Sequence, residues 1–358
     1  MDNYKITILG PSGAGKTIFI ACLYKMLSTY QDKYGFFLSV EDEDGKFLNN
    51  IFTQLGTGKT GESLSTGTTI TKELKFEVCV KNRNLDNIPV CQLTYKDYRG
   101  GQVTDVNPNG EDNTLSLKQE IRNSDAVWVI IDGQKTLAFM ENFDNQDVKR
   151  FWGQDLTGMM QLIEHANKKT TVNFLISKWD VIEKTYSLSE ISNRLLEKVP
   201  DFSNVVSSRK GKDCSLYLIP VSSLGIGFVT LQPDGTIQKN PGRLPKPLWV
   251  EVPLIFFLVD KLESQVNKLK PQINSKPNYI VNIVFVLALV LVCIISHLNL
   301  TVGIIMLIIL GLLYLGITSY VRDQRNKNKD KYNPMKNMLE KCENQKNKFL
   351  ARFPHSLL

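Results

Sequence analysis

Two kinds of apolar pattern alternate along the first 270 residues of the chain. Short apolar runs bounded by polar residues predict β-strands, and longer segments with apolar residues at every third or fourth position predict helices between them. The predicted strands are Tyr4–Leu9, Leu74–Val80, Val90–Tyr95, Ala126–Ile131, Val172–Ile176 and Leu216–Pro220, and the predicted helices include Lys16–Leu27, Thr114–Asn123, Val148–Asn167, Leu188–Val199 and Leu248–Leu269. This alternation predicts an α/β fold with a mostly parallel sheet covered by helices on both faces.

The alternation is interrupted in three places. Leu74–Val80 and Val90–Tyr95 follow each other without a helix, so we predict that they form one antiparallel hairpin at the edge of the sheet. Residues 31–60 and 225–246 are predicted to be insertions. The second insertion contains a turn signal between Leu231 and Gly235.

A much longer apolar segment lies near the C-terminus. Residues 280–321, 42 in all, contain no Asp, Glu, Lys or Arg. As one helix this run would measure about 63 Å, whereas a bilayer core is about 30 Å thick. Polar residues between Ser296 and Asn299 interrupt it, which predicts a two-helix transmembrane hairpin over residues 279–321. The alternative is a buried pair of core helices, but such helices normally carry a polar stripe, which is missing here.

The flanks of this hairpin predict its orientation. Lysines precede it between positions 261 and 276, Arg322 and further basic residues follow it, and the turn has no Lys or Arg. Both ends are therefore predicted to lie in the cytosol. Residues 271–278 are predicted to be a linker. Residues 322–358 are predicted to be a basic amphipathic tail that lies on an anionic membrane, binds a partner or is loosely ordered.

Charge and cysteine usage argue against several classes of protein. Of the net charge of +7, residues 322–358 carry +6, from ten basic and four acidic residues. The remainder is nearly neutral, so nucleic-acid binding is not expected. The six cysteines and three histidines lack metal-ligand spacing, which argues against a zinc site or a disulfide framework. The N-terminus runs directly into the first predicted strand, so no cleaved signal peptide is predicted.

A phosphate-binding loop stands between the first predicted strand and the first predicted helix. Residues 10–17 read GPSGAGKT, a full match to GxxxxGK(S/T). Such a loop points backbone N–H groups at an anionic phosphate in front of a helix N-terminus. Its predicted nucleotide-binding residues are Gly10, Ser12, Gly13, Ala14, Gly15, Lys16 and Thr17. Lys16 would reach the terminal phosphates and the Thr17 hydroxyl would bind Mg²⁺.

Four further short motifs follow the phosphate loop. They are TGTTI at residues 66–70, DYRG at 97–100, SKWD at 177–180 and VSSL at 221–224, and the last three each follow a predicted strand. With the phosphate loop, they make the chain from about Lys5 to Leu262 resemble a GTPase domain of the Ras-like, translation-factor (TRAFAC) class. The order of the motifs is stronger support than any one of them.

The resemblance implies a Mg²⁺ site and a γ-phosphate sensor. The metal ligands would be Thr17, Thr69 and, through a water, Asp97, with Thr68 as the alternative to Thr69. Thr69 and the Gly100 N–H would sense the γ-phosphate, so both are assigned catalytic roles beside Lys16. The family often places a water-orienting glutamine directly after this glycine, but here Gln102 follows one position later. Hydrolysis is therefore expected to be slow without a partner.

The resemblance also implies that guanine is the base. The Asp180 carboxylate would accept hydrogen bonds from the N1–H and exocyclic amine of guanine, and Lys178 would lie along the base. Ser177 stands where the family usually has asparagine. Ser222 and Ser223 belong to the loop whose backbone N–H would read the guanine carbonyl.

The sequence therefore predicts a multi-pass, membrane-anchored GTPase that hydrolyses GTP with Mg²⁺ as a nucleotide-dependent switch. We expect it to act with a protein partner or as a homo-oligomer. Two alternatives are an ATPase module of a membrane complex and a GTPase that remodels or perturbs membranes. The layout and composition also resemble GTPases of bacterial conflict (antiphage) systems, which carry fused membrane segments.

Overall fold

A seven-stranded sheet forms the centre of the protein in its computed structural model. The structure describes residues 1–57, 72–82, 84–97, 111–142, 145–210, 216–231, 237–240, 242–274, 279–296 and 300–358. The strand order is β2-β3-β4-β1-β5-β6-β7. The strands are β1 (Asp2–Leu9), β2 (Phe37–Val40), β3 (Lys72–Lys81), β4 (Asn87–Asp97), β5 (Ala126–Ile131), β6 (Thr171–Ile176) and β7 (Leu216–Pro220). Strands β4, β1, β5, β6 and β7 run parallel, which confirms the predicted fold class.

The predicted hairpin is present, but it does not form the edge of the sheet. Strands β3 and β4 pair antiparallel, with Leu74 opposite Tyr95. Strand β2, which lies inside the first predicted insertion, adds outside β3 and places Phe37 opposite Cys79. The edge position was wrong because β2 has only four residues, one of them a serine, so its apolar run is too short to recognise.

Helices cover both faces of this sheet. They are α1 (Lys16–Leu27), α2 (Asp42–Thr57), α3 (Glu111–Arg122), α4 (Gly133–Glu141), α5 (Gln146–Arg150), α6 (Thr157–Glu164), α7 (Trp179–Ile182), α8 (Leu188–Lys198), α9 (Pro200–Arg209) and α10 (Val252–Asn274), with a π-helical turn at Phe151–Leu156. A small antiparallel pair, β8 (Val229–Leu231) and β9 (Ile237–Lys239), lies in the second predicted insertion.

The central strand β5 shows how the two helical layers are held. All six of its residues are buried. Trp128 and Ile130 pack in the layer that contains Phe19 of α1, whereas Val127 packs in the opposite layer with Phe174. A parallel strand that is buried on both faces is a continuous apolar run, which is why its sequence predicts it well.

Two helices that each contain an apolar segment, α11 (Tyr279–Ser296) and α12 (Leu300–Arg352), follow this domain. They lie side by side, since the Tyr314 hydroxyl donates to Asn282 Oδ1 at 2.9 Å and the Phe285 and Tyr314 rings stack with centroids 4.0 Å apart. In the part of the chain that the structure describes, one helix, within α12, is long and apolar enough to span a membrane. Its apolar window is not buried, whereas the apolar part of α11 is shorter. The second span therefore stays a prediction.

Helix α12 does not end at the apolar segment. Its 53 residues, about 80 Å of helix, continue through the predicted basic tail and return to the domain built on the seven-stranded sheet. There Met335, Met338 and Cys342 are fully buried in the same layer as α1 and α10. The prediction that this face lies on a membrane, on a separate partner or in a loose tail is therefore wrong, because the domain itself covers the face.

The last residues of the chain pair with the sheet. After a 3₁₀ turn at Pro354–Ser356, Leu357 forms an antiparallel bridge with Tyr217. The Leu358 N–H donates to the Leu216 carbonyl at 3.1 Å. The C-terminus thus pairs with strand β7, which is the last strand in the sheet order, and satisfies backbone groups there.

Candidate nucleotide-binding site

The phosphate loop connects β1 to α1 and has the backbone shape that its glycines permit. Gly13 and Gly15 have φ values of 78° and 91°, which lie in the left-handed region. Gly10 packs so closely against β5 that an added Cβ would lie 3.0 Å from the Ile130 carbonyl oxygen. The loop is thus seated on the adjacent strand, and Ser12 and Gly13 are exposed on its outer side.

Lys16 and Thr17 occupy the first turn of α1, as the motif predicts. Lys16 is buried, and its Nζ donates to the carbonyl oxygens of Gly10 at 2.9 Å and Pro11 at 3.2 Å. The positive end of the α1 helix dipole lies at the phosphate loop, because the helix begins at Lys16. The ammonium group and the helix N-terminus together favour an anion at this loop.

The predicted magnesium-binding residues lie partly outside the described residues. Asp97 ends β4 and pairs in register with Ile8 of β1, which places its backbone beside the start of the phosphate loop. Thr69, Gly100 and Gln102 fall outside the described residues. Thr17 is half-buried in the first turn of α1.

These oxygen donors fit magnesium better than a softer metal. Magnesium takes few protein ligands and completes its shell with waters and phosphate oxygens. Within the described ranges, no three His, Cys, Asp or Glu residues gather as a metal cluster. Two threonine hydroxyls and one carboxylate are few oxygen ligands, and such a set suits a cation that is held together with a phosphate.

A second group of predicted residues follows β6. Lys178 adopts left-handed backbone angles, φ 51° and ψ 37°. Its Nζ donates to Asp132 Oδ2 at 2.7 Å and to Gln134 Oε1 at 2.6 Å. The preceding Ser177 is buried, and its hydroxyl donates to the Ile131 carbonyl at 3.2 Å. The loop after β6 is thereby fastened to the end of β5.

Asp180 and Ser222 join the loops after β6 and β7. The Ser222 hydroxyl donates to the Asp180 carboxylate and accepts a hydrogen bond from the Gly225 N–H at 2.9 Å. Burial raises the pKa of Asp180, while the Ser222 hydrogen bond and the Lys178 charge oppose that shift. Ser222 is fully buried and Ser223 half-buried. The structure thus brings two motifs together that are far apart in the sequence.

Sequence reasoning missed two residues that shape this region. Asp132 caps the N-terminus of α4, accepting from the backbone N–H of Gln134 at 2.8 Å, while it also pairs with Lys178. Gly133 lies so close to the next loop that an added Cβ would be 2.0 Å from the Ser177 carbonyl oxygen. An aspartate directly after a strand and before a helix is an N-cap signal, and that signal was available in the sequence.

One protein family and several solved structures are similar to this chain. The sequence model of the Double-GTPase 1 family matches residues 7–238. The chain has no match among curated proteins. A solved structure of the signal recognition particle receptor SRb-GTP/SRX complex from Chaetomium thermophilum is similar over 63% of this chain and 92% of that chain, with 14% identity and a TM-score of 0.35.

Translation elongation factor SelB from Methanococcus maripaludis, in complex with the GTP analogue GPPNHP, is similar over 62% of this chain and 31% of that chain, with 13% identity and a TM-score of 0.29. Structural likenesses at this level carry no conclusion about function. The family match is different, because it covers more than half of the chain and contains the phosphate loop, Asp97, Lys178, Asp180 and Ser222. The chain therefore belongs to the Double-GTPase 1 family, a family of GTPases.

Proposed function

We propose that this protein binds GTP with Mg²⁺, hydrolyses it and acts as a membrane-anchored, nucleotide-dependent switch. The observation that carries this proposal is the position of two groups at the carboxyl edge of one parallel sheet. The phosphate loop follows β1, and the Asp180–Ser222 pair joins the loops that follow β6 and β7. Ligands of open α/β sheets bind in the crevice outside the carboxyl ends of the strands.

Asp180 favours guanine over adenine. A carboxylate can accept hydrogen bonds from the guanine N1–H and 2-amino group together, and adenine has no such pair of donors. Ser222 already donates to this carboxylate, so one oxygen is held in place before the base binds. A pre-oriented acceptor loses less entropy on binding than a free one.

Lys16 and the phosphate loop would hold the phosphates. On binding, the Lys16 ammonium would exchange its loop carbonyl acceptors for phosphate oxygens, since a charged acceptor gives a stronger hydrogen bond. The backbone N–H groups of residues 13–17 would stabilise charge that develops on the γ-phosphate. Thr17, Thr69 and Asp97 would hold Mg²⁺, which when bound neutralises charge on the β- and γ-phosphate oxygens.

The segments around Thr69 and Gly100 would report the state of the nucleotide. A contact to the γ-phosphate exists with GTP and disappears after hydrolysis, so both segments would change their order with the nucleotide. Gln102 is the candidate for orienting the attacking water. It lies one position later than the glutamine of the Ras-like GTPases that the sequence resembles. We therefore expect slow hydrolysis that a protein partner or a second copy of the chain accelerates.

The apolar parts of α11 and α12 would anchor the domain in a membrane. Leu287 and Leu312 are 64% and 65% exposed, and many neighbouring apolar side chains are exposed as well. Exposing such a large apolar surface to water is unfavourable. Two spans joined by a turn would leave both ends of the chain on the cytosolic side, where basic residues flank the spans.

Base specificity can be tested with full-length protein in detergent or nanodiscs. We expect tight Mg²⁺-dependent binding of GTP, and weak binding of ATP. The Asp180→Asn variant should lose affinity for GTP and gain affinity for xanthosine triphosphate, because an amide N–H can donate to the 2-carbonyl of xanthine. Glu197→Gln, a change at an exposed carboxylate on α8, is the matched control. Equal affinity of the unmodified protein for GTP and ATP would instead support the ATPase alternative.

A further inference from the structure

We infer that the C-terminal segment, residues 352–358, positions the loops proposed to read guanine, and that Phe353 is its central positioning residue. The inference rests on the proposed guanine recognition and assigns a new role to the end of the chain. Its first support is a pair of aromatic contacts. The Phe353 ring packs edge-on against Trp249 and Trp179, with ring centroids 5.0 Å and 6.2 Å apart.

Each of these tryptophans is one residue away from a base-loop contact. Trp179 directly precedes Asp180, the proposed acceptor for guanine. Trp249 directly follows Leu248, which exchanges two backbone hydrogen bonds with Ser222, at 3.0 and 2.8 Å. Ser222 in turn donates to Asp180. Phe353 is therefore connected to Asp180 through Trp179, and to Ser222 through Trp249 and Leu248.

The conformation of Trp249 supports a specific role for this contact. Its φ of 58° lies in the left-handed region, which is costly for a bulky residue and persists only when the surroundings hold it. The guanidinium carbon of Arg352 lies 4.9 Å from the centroid of the Trp249 ring, and the Phe353 ring packs against the same indole. Two consecutive residues of the C-terminal segment thus stabilise a strained residue beside the Ser222 loop.

The segment itself is held at both ends. On one side, Lys346 of α12 forms an ion pair with Asp260 of α10 at 3.2 Å, and the Phe349 ring packs on Phe256 with centroids 5.6 Å apart. On the other side, Leu358 donates to the backbone of Leu216 in β7, the strand that leads into Ser222. Phe353 is therefore fixed relative to the sheet and can act as a support for the loops.

Loss of the Phe353 ring should loosen the geometry that guanine requires. Two simultaneous hydrogen bonds to one carboxylate need its plane to match the base edge, so a small rotation of Asp180 weakens both. The aromatic contacts of Phe353 with Trp179 and Trp249 lie outside the phosphate loop, which is held by its own contacts with β5, so binding energy from the phosphates should be retained. The expected signature is lower discrimination between bases and not a general loss of nucleotide binding.

The experiment compares full-length variants in nanodiscs with Mg²⁺ present. It measures dissociation constants for GDP, for ADP and for inosine diphosphate, which lacks the 2-amino group, together with thermal unfolding. We expect Phe353→Ala to weaken GDP binding about tenfold and to bring the GDP to inosine diphosphate affinity ratio close to one. Phe353→Tyr should restore the ratio, since Phe353 is only partly buried and a hydroxyl can reach solvent.

Met338→Ala is the matched control. Met338 is fully buried on α12 against Gly35, away from the base loops, so its truncation should lower stability without changing the ratio. If Phe353→Ala keeps the ratio of the unmodified protein, or if Met338→Ala lowers the ratio equally, the positioning role is wrong while guanine recognition stands. If the unmodified protein does not prefer GDP to ADP, guanine recognition is wrong and the positioning role falls with it.

Discussion

The hydroxyl of Ser222 donates a hydrogen bond to the carboxylate of Asp180, although 42 positions separate the two residues in the sequence. The same hydroxyl oxygen accepts from the Gly225 N–H. Ser222 thus links the proposed base acceptor to the turn that follows β7. A single side chain connects two loops that must both be in place for a base to be read.

Replacing this serine should affect both stability and binding. In Ser222→Ala the buried Gly225 N–H loses its acceptor, which should lower the free energy of unfolding by about 1–3 kcal/mol. The Asp180 carboxylate also loses its orienting donor, so GDP affinity should fall. Chemical denaturation and equilibrium GDP binding would measure the two effects. Ser223→Ala, at the half-buried neighbour, should change both much less.

As the pH is lowered, guanine binding should weaken at a higher pH than the ordinary pKa of an aspartate would suggest. Burial raises the pKa of Asp180 above its usual 3.8, and only the ionised carboxylate can accept both guanine hydrogen bonds. GDP affinity should therefore decline as the pH falls through this raised pKa. A pH titration of GDP binding would show this fall in affinity. If the Asp180→Asn variant shows the same fall, a group other than Asp180 is responsible for it.

The same pKa shift predicts that the stability of the nucleotide-free protein changes with pH in the opposite direction to GDP binding. A carboxyl group whose pKa is higher in the folded state binds its proton more tightly there, so its stabilising contribution is complete below pH 3.8 and is lost as the pH rises through the folded pKa. Without nucleotide, Asp180→Asn should therefore be more stable than the unmodified protein at pH 7. The difference should vanish below pH 3.8 in urea denaturation curves, and a less stable variant at pH 7 would contradict the assignment.

The Lys178–Asp132 pair should matter for base binding more than for folding. Asp132→Asn keeps an N-cap acceptor for α4 but removes the charge that holds the Lys178 ammonium at 2.7 Å. We expect weaker GDP binding with little change in stability. Asp132→Ala removes the cap as well, and should cost about 1 kcal/mol of stability in addition. Equal GDP affinity in both variants and the unmodified protein would remove Lys178 from the base site.

The docking of α12 on the domain can be tested at Gly35. Its φ of 77° and its closeness to α12, with an added Cβ 3.2 Å from the Met338 Cα, leave no room for a side chain. Gly35→Ala should displace α12 and expose Cys342, a fully buried thiol whose pKa burial raises to about 12. Site-resolved alkylation by mass spectrometry should show faster modification of Cys342. Gly153→Ala, where an added Cβ meets nothing within 4 Å, should leave the rate unchanged.

Local sequence patterns predicted those helices and strands whose structure is determined by the residues of a single segment. The strands Ala126–Ile131 and Leu216–Pro220 and the helix Lys16–Leu27 have the predicted bounds, because buried parallel strands are unbroken apolar runs and the phosphate loop marks the start of α1. Strand β2 and helix α4 were missed, since the first is short and the second has no clear apolar period.

Contacts between distant segments were not predictable in the same way. The spacing of Met335, Met338 and Cys342 indicated an apolar helix face, but periodicity does not say what covers such a face. The contacts of Phe353 with Trp179 and Trp249 likewise depend on where α12 docks. The roles of Thr69, Gly100 and Gln102, the second membrane span and the link to bacterial conflict systems stay predictions.

The central claim is that the phosphate loop holds a nucleotide in the intact protein, and the most direct measurement is the amount of labelled GTP that full-length protein retains with Mg²⁺ after gel filtration. The account predicts that one nucleotide is retained per chain and that it is released when Mg²⁺ is chelated. It also predicts that the Lys16→Ala variant retains no nucleotide although its circular dichroism spectrum shows the same fold. Folded, unmodified protein that retains no nucleotide, or Lys16→Ala that retains as much, would contradict it.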